Sequence, residues 1–210
     1  MHEVHPADHP IHGVRDFLLH LFTITVGLLI ALGLENIAEY VHHRHLVHEA
    51  RENLHHEIED NRKDLKDVLE AIPKEQARYK DLLTYLQARA EGRPSEIHKV
   101  MIGVEMITPQ DASWQTANAT GALSFMPYSE VQRYATAYQL QKKLDALQEA
   151  AIQPVILLIA TVGGGDPEKL SKEDLAGAIP QVRQVAAHLE SVREIGADLD
   201  KRYADALKGE

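Results

Sequence analysis

An all-α protein, in which an N-terminal membrane-spanning helix runs on into a long helix and then a helical bundle, follows from three features of the 210-residue sequence. Residues Phe17 to Leu34 contain no Asp, Glu, Lys or Arg. From Asn36 to Ile72 there is neither Gly nor Pro, and apolar residues recur at alternating steps of three and four. No stretch alternates apolar and polar residues with the period of two that a half-buried strand requires.

Each element has its own justification. The run Phe17–Leu34 spans about 27 Å as a helix, close to the thickness of a bilayer hydrocarbon core. It reads as an uncleaved anchor rather than a signal peptide. Glu3, Asp8 and Asp16 stand against Arg15 alone in the preceding tail, and the best small-residue site, Ala31 with Gly33, lies inside the span. His20, Thr23, Gly27, Ala31 and Glu35 follow one another at steps of three, four, four and four, on one side of a helix whose other sides are mostly Leu, Ile, Val and Phe. Small residues at such spacing let two helices approach closely in lipid, so this stripe is the candidate membrane-helix interface. His20 is also a candidate axial ligand for a haem or chlorin. Arg44 and Arg51 after the span, against Arg15 before it, lean towards a cytoplasmic C-terminal domain.

Beyond the membrane, Val47, Arg51, Leu54, Ile58, Asn61, Leu65, Val68 and Ile72 form a heptad seam, with Arg51 as its defect and Asn61 as its polar register position. Such a seam suits a parallel homo-oligomeric coiled coil or packing against later helices of the same chain; the supply of further helices favours the second. Pro73 is expected to end this helix, and Lys74 to Glu91 to form another before a break at Gly92, Pro94 and Ser95. A short helix is expected over Glu96–Ile107, a loop with an N-cap through Pro109, Asp111 and Ser113, and a helix over Trp114–Phe125. Pro127 and Ser129 introduce a long helix to about Val162, bent near Pro154. Its apolar end, Val155 to Val162, is too short to cross a bilayer and reads as core. Ser171 with Asp174 resembles a capping box for a short helix, and Pro180 is expected to start a final amphipathic helix through Leu207. The chain therefore divides into a tail (1–16), an anchor (17–35), a stalk with its second helix (36–94) and a distal bundle (95–210).

Composition excludes whole classes of chemistry. Twenty-two Lys plus Arg face 32 Asp plus Glu, for a net charge of -10, and the distal domain has no basic patch for nucleic acid. The absence of Cys removes disulfides, Cys-based zinc sites, iron–sulfur clusters and thiol nucleophiles. Gly163-Gly-Gly165-Asp lacks the Lys-Ser/Thr of a phosphate-binding loop, and neither a G-x-S-x-G elbow nor H-E-x-x-H is present. Trp114, Tyr128, Tyr134 and Tyr138 read as core aromatics.

The compositional anomaly is 13 His. His2, His5, His9 and His12 precede the span, and His42, His43, His45, His48, His55 and His56 follow it. His48, Glu52, His55 and Glu59 share one helical face and are the candidate metal ligands, for Zn, Ni, Cu or Fe. Glu39-x-x-His42 and Glu52-x-x-His55 match the spacing of di-iron bundles, but about 20 Å of helix separates them, so one chain does not bring them together. The expectation is a solvated His band at the bilayer interface. A pH response, in which acidification turns this acidic zone cationic, is its variant.

The segment Val26-Gly-Leu-Leu-Ile-Ala-Leu32, followed by His42-His-Arg-His45 and Glu49-Ala-Arg51, resembles uncharacterised bacterial single-pass proteins with a helical domain of unknown function. Trp114-Gln-Thr-Ala-Asn-Ala-Thr-Gly-Ala-Leu123 with Pro127-Tyr128 is similar to a second block of that group. The resemblance implies a bacterial inner-membrane location and brings no catalytic residue. Together these readings predict a non-enzymatic, membrane-anchored interaction or accessory protein. Its expected partners are the bilayer and another membrane protein or a second copy of itself. A metal-dependent or pH-responsive sensor is the alternative.

Overall fold

The computed structural model describes residues 13–94, 101–163 and 170–208. The protein is all-α: α1 spans Val14–Ala90, α2 Ala112–Ala119, α3 Tyr128–Leu158 and α4 Lys172–Ala206. A 3₁₀ turn over Ala122–Phe125 follows α2, and a π turn over Ile159–Gly163 ends α3. No strand occurs among the described residues. The chain divides into two units, residues 1–48 and 49–210.

Two prolines expected to bound helices lie inside them instead. α1 continues through Pro73, and α4 begins at Lys172 and continues through Pro180. A helix-interior Pro costs about 3 kcal/mol through its missing N–H and ring clash. Both rings face solvent, while Ile72 and Tyr79 beside the first, and Ala178 and Val182 beside the second, are almost fully buried. Core contacts on both sides of each proline hold the helix across the defect. The capping box forms as expected: Asp174 N–H donates to Ser171 Oγ at 3.1 Å, and Ser171 N–H to the Asp174 carboxylate at 3.1 Å. It opens all of α4 rather than a separate short helix. The helix expected over Trp114–Phe125 is split at Gly121, whose φ of 77° is left-handed and ends α2.

Within the second unit, α3 runs parallel to α1, and α4 antiparallel to both. Along α1, Arg51, Glu57 and Asn61 meet Glu130, Tyr138 and Gln141 of α3 in the same order. Arg62 and Gln76 meet Asp200 and Glu190 of α4 in reverse order. The heptad seam is taken up inside the chain: Leu54, Ile58, Asn61, Leu65, Val68 and Ile72 are all buried. One end of the core gathers Tyr79, Leu82 and Leu86 of α1, Val155 and Leu158 of α3, and Val182 and Val185 of α4. The apolar run at the end of α3 is thus half core: Val155, Leu158 and Val162 are buried, while Ile156, Leu157 and Ile159 are exposed. α4 comes so close to α1 at Gly196 that a Cβ there would lie 2.8 Å from Leu69 Cδ2 and 3.3 Å from Leu65 Cδ1.

Joining parallel helices forces the largest departure from the expected plan. Residues 101–110, placed by sequence in a helix as far as Ile107, are not helical; residues 96–100 of that expected helix lie outside the described residues. The chain must return along α1 from Tyr79, which bonds Gly103, to Asn61, which bonds Gln110. Eighteen helical residues cover about 27 Å. The seven steps from Gly103 to Gln110 cover about 23–25 Å when extended and only about 10 Å as a helix. Geometry therefore overrides the helical spacing of Met101, Val104 and Ile107.

Candidate functional site

In the first unit, residues 17–34 present their side chains outwards on every side. Only Val26 and Gly33 are even half-covered, and none of the most apolar eighteen-residue stretch is buried. Among the described residues two helices, α1 and α3 with its π turn, are long and apolar enough to cross a membrane. They differ in what the chain does with them. The apolar part of α1 has no cover within its unit, whereas part of the apolar stretch of α3 lies in the core.

The five stripe residues share this open surface. A Cβ at Gly27 would meet nothing within 4 Å. Thr23 Oγ1 donates to its own helix at the Leu19 carbonyl at 2.9 Å, and His20 Nδ1 lies 3.2 Å from the Asp16 carbonyl. These bonds engage the Thr23 hydroxyl and one ring nitrogen of His20 within their own helix. Close approach at Gly27 and Ala31 therefore carries the interface reading, with polar contacts secondary. With Nδ1 directed at its own backbone, the His20 ring has Nε2 as its outer nitrogen.

The residues of the candidate metal face fall in both units. His48 belongs to the first unit, and Glu52, His55 and Glu59 to the second. His55 packs edge-on against Tyr134 of α3, with ring centroids 6.1 Å apart, while Glu52 and Glu59 face solvent. Among the described residues no group of three or more His, Asp or Glu side chains is arranged to hold a metal ion. His43 and Glu39 approach at 3.9 Å, and His56 and Asp60 at 3.6 Å, as i,i+4 neighbours on an exposed face.

The second unit concentrates its buried polar groups on the extended segment. Asn61 holds Gln110 from both sides: Gln110 N–H donates to Asn61 Oδ1, and Asn61 Nδ2 donates to the Gln110 carbonyl, each at 2.7 Å. Gln148 grips Ile107 the same way, accepting its N–H at 3.0 Å and donating to its carbonyl at 3.2 Å. Tyr79 exchanges two bonds with Gly103, Glu75 accepts the Glu105 N–H at 2.9 Å, and Glu57 accepts the Ser113 N–H at 2.8 Å. An extended segment beside helices has no strand to pair with, so side chains take the place of a sheet ladder. Tyr138 donates to Glu57 at 2.6 Å, Tyr203 donates to Gln141 at 2.6 Å, and Gln141 Nε2 reaches the Gln110 carbonyl at 3.0 Å. Burial and the Glu57 carboxylate push the Tyr138 pKa far up, so the phenol stays a donor. Burial likewise raises Tyr203, and raises Tyr134 to about 12. Trp114 stacks on Tyr138, with centroids 5.3 Å apart, and Tyr128 is exposed rather than core. Glu57, Gln141 and Gln148 carried no sequence signal beyond being polar on inward-facing turns.

Glu75 supplies a pH test. Burial raises its pKa above the ordinary Glu value, against the lowering effect of the Glu105 N–H and Arg78. A raised folded pKa means the folded state binds this proton more tightly. The contribution of Glu75 is thus fully favourable below the ordinary Glu range and is lost as pH rises through the folded value. Glu75→Gln keeps an acceptor for Glu105 and removes the charge. Its melting temperature relative to the parent is expected to rise between pH 4 and pH 7, as checked by paired thermal melts in nonionic detergent. A difference independent of pH would contradict this. No protein-family model, curated protein or solved structure matches the chain, so its functional reading comes from this geometry.

Proposed function

We propose that the protein is a membrane-anchored, non-enzymatic helical interaction or accessory subunit, held in a bacterial inner membrane by residues 17–35 and carrying its helical domain on the cytoplasmic side. The observation that supports the anchor is the outward exposure of the apolar helix over 17–34, none of which is buried and which would be untenable in water. Eighteen uncharged, mostly apolar residues without cover in their own unit need lipid or another protein. The bacterial location rests on the resemblance of the anchor block, and the orientation on the excess of Arg after the span. The small side of the helix, Gly27 with Ala31, is read as the contact with a second membrane helix, of a partner or another copy.

Alkaline carbonate washing is expected to leave the full chain in the membrane pellet; release into the supernatant would remove the anchor reading. Gly27→Leu with Ala31→Leu is expected to weaken association in mild detergent about tenfold, since bulk at both positions separates the helix backbones. Unchanged association by sedimentation or crosslinking would discard the helix contact and leave the anchor standing.

A further inference from the structure

A cavity of about 380 Å³ opens between the first two turns of α3 and the end of α4, lined by Ser129, Gln132 and Arg133 on one side and Arg202, Asp205 and Lys208 on the other. Its charge is the reverse of the chain's. Three cations surround one carboxylate, in a protein whose net charge is -10. Lys208 Nζ lies 2.6 Å from Asp205, and this bond, reinforced by Lys208, Arg202 and Arg133 as neighbouring charges, holds the Asp205 carboxyl below its usual range. That single carboxylate does not account for both arginines. Arg202 Nε is 3.9 Å from Asp198, beyond hydrogen-bond length. Arg133 donates one long bond, 3.4 Å, to the Lys208 carbonyl, and its Nε is buried without an acceptor among the described residues. The acid one turn away, Glu130, is already held in a bidentate pair by Arg51.

Arg133 and Arg202 thus bring more guanidinium N–H donors to the cavity than the acceptors beside them take up. The N-terminal turn of α3 adds its partial positive charge on the same side. Ser129 and Gln132 supply neutral donors beside the guanidinium groups, the mixture that recognises a tetrahedral oxyanion. The volume falls in the range of small-ligand sites and exceeds that of a bare phosphate, leaving room for an organic substituent. We propose that this cavity is a binding site for a phosphate-class oxyanion, with Arg133 and Arg202 as its principal ligands and Ser129 and Gln132 as secondary donors. The proposal goes beyond the membrane-anchored interaction role and does not depend on it.

Two sources carry this chemistry, a free phosphate compound and a phospholipid headgroup, and one experiment separates them. Inorganic phosphate is titrated calorimetrically into the full chain in phosphatidylcholine nanodiscs at constant ionic strength, so that general screening does not change. Saturable binding with a Kd on the order of 1 mM is expected. Arg202→Gln, at an exposed position that the fold does not need, is expected to weaken it about tenfold, and Arg133→Gln at least as much. Arg193→Gln, on α4 outside the cavity, is expected to bind like the parent. In phosphatidylglycerol-containing nanodiscs, unchanged phosphate binding assigns the site to a free anion, and weakened binding assigns it to a competing headgroup; both uphold the oxyanion site. Absence of saturable binding up to about 10 mM, or parental affinity in both Arg202→Gln and Arg133→Gln with native circular dichroism, would overturn the proposal.

Discussion

Arg51→Ala is expected to destabilise the helical domain by about 3 kcal/mol, although the residue looks like a flaw in an apolar seam. Both oxygens of Glu130 accept from the Arg51 guanidinium at 2.7 Å, and the Glu130 side chain is only 7% exposed. Truncation would leave a buried carboxylate facing Tyr134, itself fully buried one turn further along α3. Most of the loss is the cost of stranding that charge rather than the net value of the pair. The double variant Arg51→Met with Glu130→Leu is therefore expected to recover most of it. Trp114 is the only Trp and stacks on Tyr138 inside the bundle, so denaturant unfolding followed by its fluorescence reports this domain and not the anchor. A single variant within about 0.5 kcal/mol of the parent would show that Glu130 finds other compensation.

Asn61→Leu tests the direction of an effect as well as its size. In a homo-oligomeric coiled coil, replacing a polar seam residue by Leu adds stability while relaxing register. Here Asn61 is 3% exposed and bonds both the N–H and the carbonyl of Gln110, so Leu would leave the Gln110 N–H without its acceptor and loosen that end of the extended segment from α1. The expected result is a loss of about 2–4 kcal/mol in the same unfolding measurement. Faster hydrogen exchange at the Gln110, Ile107 and Glu105 amides should accompany it. Asn61→Asp, which keeps the acceptor and loses the donor, is expected to fall between the two. An increase in stability with Asn61→Leu would mean that the seam serves another copy of the chain.

These two positions show where the sequence was legible. Leu54, Ile58, Leu65, Val68 and Ile72 announced a buried face by spacing alone, and that face is buried. Arg51 and Asn61 were visible only as interruptions, because their partners lie 79 and 49 residues away. The exposed apolar helix over 17–34 was legible, since it depends on nothing but local composition and helical geometry. His48, Glu52, His55 and Glu59 were legible as one helical face, whereas the contact of His55 with the Tyr134 ring was not, because it needs α3 facing it. The oxyanion cavity had no signal at all: Arg133 and Arg202 are ordinary charges on separate helices until antiparallel packing of α3 and α4 sets them side by side.

From the sequence alone came the all-helical class, the apolar helix over 17–34, the seam and the capping box at Ser171. Each is a property of residues within a few positions of one another along one helix. Only the tertiary structure decided that α1 passes through Pro73 and α4 through Pro180, that residues 101–110 are extended, and that Arg51 and Asn61 are paired. In each case local preference was worth a few kcal/mol at most, and contacts from distant residues outweighed it. The return path along α1 is the clearest instance: parallel α1 and α3 require a span that only an extended chain of that length covers, so the distance between helices set the conformation of the residues joining them.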